Sequence, residues 1–169
     1  MDTQRQCKYS EMYRLNLPRY DIKMRGEGDR AEIYDILRRK YVALAPEEWV
    51  RQHFVHYLVE GKHYPAGLMA NEVELRAGEK RVRCDTVVYD NRLRPLMIVE
   101  YKAPDVSITR KVFDQIAAYN SILRAGHLTV SNGMEHVCCR MDYRGGDAMF
   151  LDHMPDYGEL TEMNDTQSL

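Results

Sequence analysis

The stretch that most constrains this chain is Arg83 to Lys102, which reads RCDTVVYDNRLRPLMIVEYK. Two apolar runs, Asp85 to Tyr89 and Leu96 to Tyr101, flank an Asp90-Asn91 turn signal, so the spacing predicts a β-hairpin made largely of strand formers. Side chains alternate along a strand, which sends Glu100 and Lys102 to one face and Met97, Val99 and Tyr101 to the other. Leu96 and Ile98 share the Glu100 face, so both faces are apolar until the strand ends in charge. A strand of that pattern belongs at the centre of a sheet.

The position of Asp85 depends on register. A two- or four-residue turn sets it opposite Ile98 or Glu100, on the Glu100 face, and a three-residue turn sends it to the other side. With the even turn, two carboxylates and an ammonium group converge at the rim of a core. Crowded carboxylates repel, and a divalent cation with oxygen ligands, such as Mg²⁺, relieves the repulsion. The alternative is a purely structural ion pair of Lys102 with Glu100 or Asp85.

Asp85, fourteen further residues and then Glu100-Tyr101-Lys102 resemble the D…ExK signature of the PD-(D/E)xK nuclease superfamily. The segment Phe113 to Tyr119, with Gln115 and Tyr119 four apart, is similar to the QxxxY helix that follows the ExK strand in type I restriction endonucleases and RecB-like nucleases. Ala45 to Gln52 (APEEWVRQ) and Ser131-Asn132-Gly133 stand where stand-alone relatives of the N-terminal nuclease domain of type I restriction subunits carry similar words. The resemblance spans roughly residues 15 to 150. Cys84 departs from it, standing where the superfamily's eponymous proline would be, and the sequence holds no Walker A motif.

That resemblance implies a restriction-endonuclease-like α/β fold: a central mixed sheet of four or five strands flanked by helices, with an N-terminal β-hairpin attached. It also implies Mg²⁺-dependent hydrolysis of DNA phosphodiester bonds, with Mn²⁺ as a possible substitute. Asp85, Glu100, Lys102 and Gln115 would be the catalytic residues. Asp85, Glu100 and the Tyr101 backbone carbonyl would hold metal, and Glu48 would join them if its role exceeds compensation of the helix dipole. Arg51, Arg83 and Tyr119 are the candidate DNA contacts, with Arg51 alternatively paired to Glu48 one turn away. Tyr119 alternatively packs as a core aromatic. DNA and other restriction-system subunits are the implied partners. A non-cleaving DNA-binding or assembly module is the competing reading.

The rest of the chain is read around this centre. Residues 1–14 form a polar arm, 15–152 a single domain and 153–169 a polar, flexible tail. Tyr20, Ile22 and Met24 alternate with charged neighbours, and the Gly26 to Asp29 turn returns the chain through Glu32 to Ile36 as a hairpin. Arg38-Arg39-Lys40 reads as a solvated strand end. Pro46 starts a helix with Glu47 and Glu48 in its first turn, running to about Val59 before Gly61. His53 and His56 lack a third ligand nearby and read as structural. Asn71 to Leu75 is a strand, Ser107 to Arg124 an amphipathic helix, and Leu128 to Val130 and His136 to Tyr143 a further hairpin. The 44% apolar content suits one substantial core, and the four cysteines, with no CxxC pair, suit a reducing cytoplasm rather than a disulfide framework. A formal charge of -2 neither demands nor excludes nucleic acid, and no stretch approaches membrane-spanning length.

Overall fold

The computed structural model describes residues 14–166, so the greater part of the expected N-terminal arm lies outside the described residues. The centre is a six-stranded sheet in chain order: β4 (Met69–Ala77), β5 (Lys80–Tyr89), β6 (Pro95–Tyr101), β7 (His127–Ser131), β8 (His136–Met141) and β9 (Ala148–Phe150). A smaller sheet of β1 (Met24–Arg25), β2 (Glu32–Asp35) and β3 (Lys40–Ala43) precedes it. The expected N-terminal hairpin is thus two strands of a three-stranded meander. Its third strand begins at Lys40, where a solvated strand end is expected, because Arg39 takes a left-handed turn (φ 54°) that sends the chain back along β2.

In the main sheet only β6 and β7 pair in parallel. A parallel pair needs a crossover, and helix α2 (Arg110–Leu123) supplies it. α2 covers one face of the sheet, with Ile116 buried among Val87, Ile98, Leu128, Val130 and Cys139. Helix α1 (Pro46–His56), extended by a π turn over Tyr57–Gly61, covers the other. Its Val50, Phe54, Val55 and Leu58 pack on Val88, Met97, Val99 and Tyr101. Buried on both faces from Leu96 onward, β6 is the central strand that its double apolar pattern predicts.

Beyond Asp152 the structure departs from expectation. The tail segment folds into helix α3 (Tyr157–Asp165), capped reciprocally by Asp156 and Glu159. Leu160 is completely buried in the α1-side core, and the Tyr64 hydroxyl donates to the Pro155 carbonyl at 3.0 Å. The apolar area covered by Leu160 outweighs the polar composition on which the expectation of flexibility rests. No described helix is long and apolar enough to cross a membrane.

Candidate active site

The register question is settled by a bulge. Five residues, Asp90 to Arg94, separate β5 from β6, and an odd connection alone would place Asp85 on the wrong face. A register shift between Val88 and Tyr89 absorbs one residue. Inward of it Val88 pairs with Met97, Val87 with Ile98 and Thr86 with Val99, so the ladder runs up to the residue before Glu100, and Asp85 follows at its end, bonded to the Tyr101 amide. Asp90 locks the turn, accepting from the Arg92 and Arg94 amides at 2.8 Å and from Arg94 Nε at 2.6 Å.

Asp85 is held from two sides. One carboxylate oxygen accepts the Tyr101 amide at 2.8 Å, and the other faces Arg51 Nη2 at 3.1 Å. On the neighbouring strand Lys102 Nζ lies 3.2 Å from Glu100 Oε1. Glu100 is only 6% exposed, and its Oε2 is buried with no hydrogen-bond partner. Burial first, and the Asp85 charge second, push the Glu100 carboxyl up to about 7. Burial works to lower the Lys102 ammonium, but the Glu100 carboxylate prevails and raises it. The expected trio of Asp85, Glu100 and Lys102 therefore meets at one end of β5 and β6.

A carboxylate that sequence reasoning passes over senses the same charges. Glu47, exposed on the first turn of α1, has its pKa raised by partial desolvation and then by Asp85, with Lys102 and Arg51 opposing. Glu48 is committed elsewhere: to Gln52 Nε2 at 2.8 Å, Arg51 Nη1 at 3.2 Å and Arg38 Nη2 at 3.3 Å. Successive residues on a helix point about 100° apart, so adjacency in sequence does not make the two interchangeable.

Arg51 is 3% exposed and stands between carboxylates rather than at the surface. Its guanidinium meets Glu48, Glu72 at 2.5 Å and Asp85, and these charges hold it protonated against the cost of burial. Arg83, the other arginine considered for DNA contact, is exposed and pairs with Glu72 at 2.7 Å. Glu72 lies on β4 in a left-handed conformation, φ 58°. The ladder inverts there: Asn71 and Thr86 bond toward the α1 side, whereas Val73 and Cys84 pack in the α2-side core. Residues two apart on a regular strand share a face, so the break at Glu72 is what re-aims the strand beside Asp85. No residue type at position 72 signals it.

Beneath the carboxylates runs a buried polar chain. Arg38 donates to Asp35, Asn71 donates to Asp35 at 2.8 Å, Thr86 donates to Asn71 at 2.6 Å, and the Thr86 and Tyr101 hydroxyls lie 2.9 Å apart. It ties the small sheet to the strand that carries Glu100. The Ser131-Asn132-Gly133 segment acts on the other flank. Asn132 caps the β7–β8 turn through the Met134 and Glu135 amides and donates to the Val106 carbonyl at 2.9 Å, while the Ser131 carbonyl accepts the Lys102 amide. The loop leaving Lys102 is fixed by these bonds.

Gln115 and Tyr119 lie where the helical spacing predicts, joined by a 3.0 Å hydrogen bond from the amide to the hydroxyl. Gln115 is exposed, and among the described residues no hydrogen bond or ion pair links it to Asp85, Glu100 or Lys102. Tyr119 packs half-buried against the α2-side core. His53, pushed down to about 4 by burial, bonds the Trp49 carbonyl, and His56 bonds Glu60, in keeping with structural roles.

Among the described residues no three His, Cys, Asp or Glu side chains already form a metal-holding group. Arg51 and Lys102 engage the carboxylates instead. Glu100 Oε2 nevertheless has no partner, and a buried anionic oxygen without one is the donor that a hard cation satisfies. On that chemistry the residues fit a divalent ion.

Comparisons with known proteins agree with this fold. No curated protein matches the sequence. A solved fragment described as an HsdR subunit of a type I restriction enzyme from Vibrio vulnificus YJ016 superposes with a TM-score of 0.54 at 19% identity, over 73% of this chain and 26% of that one. The chain therefore spans about a quarter of that structure's length, and at this identity the likeness concerns the fold. The family described as "Type I restriction enzyme R protein N terminus (HSDR_N)" matches residues 46–155, from the first residue of α1 to the approach to α3, and the chain belongs to that family.

Proposed function

We propose that this domain is a metal-dependent nuclease that hydrolyses DNA phosphodiester bonds within a restriction system. The observation that carries the reading is the Asp85 carboxylate bonded to the Tyr101 amide next to Glu100, with Lys102 against Glu100 and one Glu100 oxygen buried and unpartnered. Asp85 and Glu100 would hold a divalent ion, with the Tyr101 carbonyl and, by its electrostatic proximity, Glu47 rather than Glu48 completing the set. When bound, such an ion polarises the scissile phosphate and acidifies a coordinated water.

The protein's own groups do the rest. Lys102, kept protonated by Glu100, sets a positive charge beside the position where negative charge grows on the phosphoryl oxygens. Arg51 and the Tyr101 amide fix the Asp85 carboxylate from opposite sides, so its orientation is preset. Duplex DNA and other subunits of a restriction enzyme are the partners that this reading names.

One observation favours a second reading. Arg51 already neutralises Asp85, as it would in a nuclease-like module that binds without cutting. Plasmid, linear duplex and single-stranded DNA incubated with the protein in Mg²⁺ or Mn²⁺ separate the two. Cleavage that disappears in Asp85→Ala and Lys102→Ala supports the nuclease. DNA binding with no cleavage in either metal supports the module, and cleavage persisting in either variant contradicts the site.

A further inference from the structure

At the far end of the parallel pair, away from the carboxylates, lies an arginine-lined cavity of about 770 Å³. Its walls come from the start of β6, the α2–β7 connection, and the turn and strands of the β8–β9 hairpin. Glu100 lies five steps along β6 from Pro95, which sets the two places about 16 Å apart along the strand. The cavity belongs to neither the carboxylate cluster nor the QxxxY helix face.

Four arginines line it: Arg94, Arg124, Arg140 and Arg144. Arg94 is neutralised by Asp90 at 2.6 Å and Asp165 at 3.7 Å. Among the described residues the other three have no carboxylate at ion-pair distance. Arg140 donates to the Met163 carbonyl at 3.0 Å and the Thr166 hydroxyl at 3.3 Å. Asp142 is the carboxylate in the wall, and the Gly145 and Arg144 amides engage it first, with the Arg144 and Arg140 charges also holding its pKa down. Three cations facing one acid in a concave space leave an unbalanced positive field in a chain whose net charge is -2.

The arrangement is also rigid where it matters. Arg124 closes α2 in a left-handed conformation, φ 51°, at the position where glycine or asparagine is the usual residue. Buried Asn120 imposes the turn by bonding both the amide and the carbonyl of Ala125, at 2.7 and 3.1 Å. Arg124 then stacks 4.5 Å from the ring centre of Tyr143, whose hydroxyl is fixed by Asn120 and by the Ala125 carbonyl at 2.6 Å. An arginine in a conformation that glycine fills more cheaply, and oriented on a pinned aromatic ring, presents a preset planar fork.

We infer that this cavity binds a nucleoside phosphate, its phosphate held by Arg124, Arg140 and Arg144, with Tyr143 offering an aromatic edge to the nucleoside. Guanidinium forks match phosphate oxygens in pairs, and the volume falls in the range of small-ligand sites. The same chemistry is offered by a free nucleotide and by the phosphorylated end of a strand. The inference does not depend on the carboxylate site being catalytic.

Fluorescence anisotropy with a labelled 5′-phosphorylated single-stranded decamer in EDTA, competed with dAMP, deoxyadenosine or the unlabelled decamer with and without its 5′-phosphate, tests it without any cleavage readout. The labelled decamer binds the wild-type chain in EDTA, where no divalent ion is available to the carboxylates. It binds at least tenfold more weakly to the doubly substituted Arg124→Ala, Arg144→Ala chain, whose exposed positions leave the circular dichroism spectrum unchanged. Arg124→Lys, which keeps the charge and loses the fork, gives an intermediate loss. dAMP competing where deoxyadenosine does not identifies the phosphate as the recognised group and a free nucleotide as sufficient. Competition by the phosphorylated strand end alone identifies the end. Absence of binding to the wild-type chain, equal binding by the double variant, or competition by deoxyadenosine as strong as by dAMP overturns the inference.

Discussion

At the scale of single residues, Glu100 is the most informative group. Its carboxyl at about 7 lies above the ordinary 4.5, so between these values the folded chain holds a proton that the unfolded chain has released. Stability from this group is therefore full below about 4.5 and lost as pH rises through 7. Glu100→Gln should melt with the wild type near pH 5 and above it near pH 8 in EDTA, as read by thermal melts across that range. Arg51 answers in the opposite sense. Removing a buried cation that three carboxylates face leaves their charges uncompensated, and Arg51→Ala should lose about 3–5 kcal/mol in urea unfolding. Much of this was readable from the residues: Asp85, Glu100 and Lys102 meet, and Gln115 reaches Tyr119. The engagement of Glu48 by Arg38 and Gln52 was not, because Arg38 comes from a turn that no helical period describes.

At the scale of elements, the bulge at Val88 and Tyr89 and the twist at Glu72 do what residue identity alone does not announce. A bulge moves register by one residue, and one residue exchanges the faces of a strand, so the turn length by itself gave no decision about Asp85. The strands and α1 were legible because their apolar periods and the Pro46 start are local signals. Helix α3 was hidden by its acidic composition, although Asp156 and Glu159 at capping-box spacing ahead of Leu160 were the available sign. Its packing carries a prediction. Leu160→Ala should cost about 2–5 kcal/mol in chemical unfolding, as expected for a fully buried leucine, and a surface-like loss under 0.5 kcal/mol would mean that α3 is not docked.

At the scale of the molecule, the two ends of the β6–β7 pair carry different chemistry. Asp85 and Glu100, engaged by Arg51 and Lys102, lie at the C-terminal end, and the arginine-lined cavity lies at the N-terminal end. A parallel pair joined by a crossover helix is what allows this, because both strands start at one edge of the sheet and finish at the other. Membership of the type I restriction R protein N-terminal family fits such a frame, in which the sheet supplies geometry and the strand ends supply chemistry. Bound to a divalent ion, the carboxylate end loses a repulsion that the metal-free protein carries, so saturating Mn²⁺ should raise the melting temperature more at pH 8 than at pH 5.5, where Glu100 is protonated.

The most direct measurement is calorimetric titration of Mn²⁺ into the wild-type chain and into Asp85→Ala at pH 8. The wild type should bind with an affinity that weakens as the pH falls below about 7, where binding also releases protons, and Asp85→Ala should show no heat of binding. Equal binding by the two chains, or none by the wild type, would contradict a metal site built on Asp85 and Glu100.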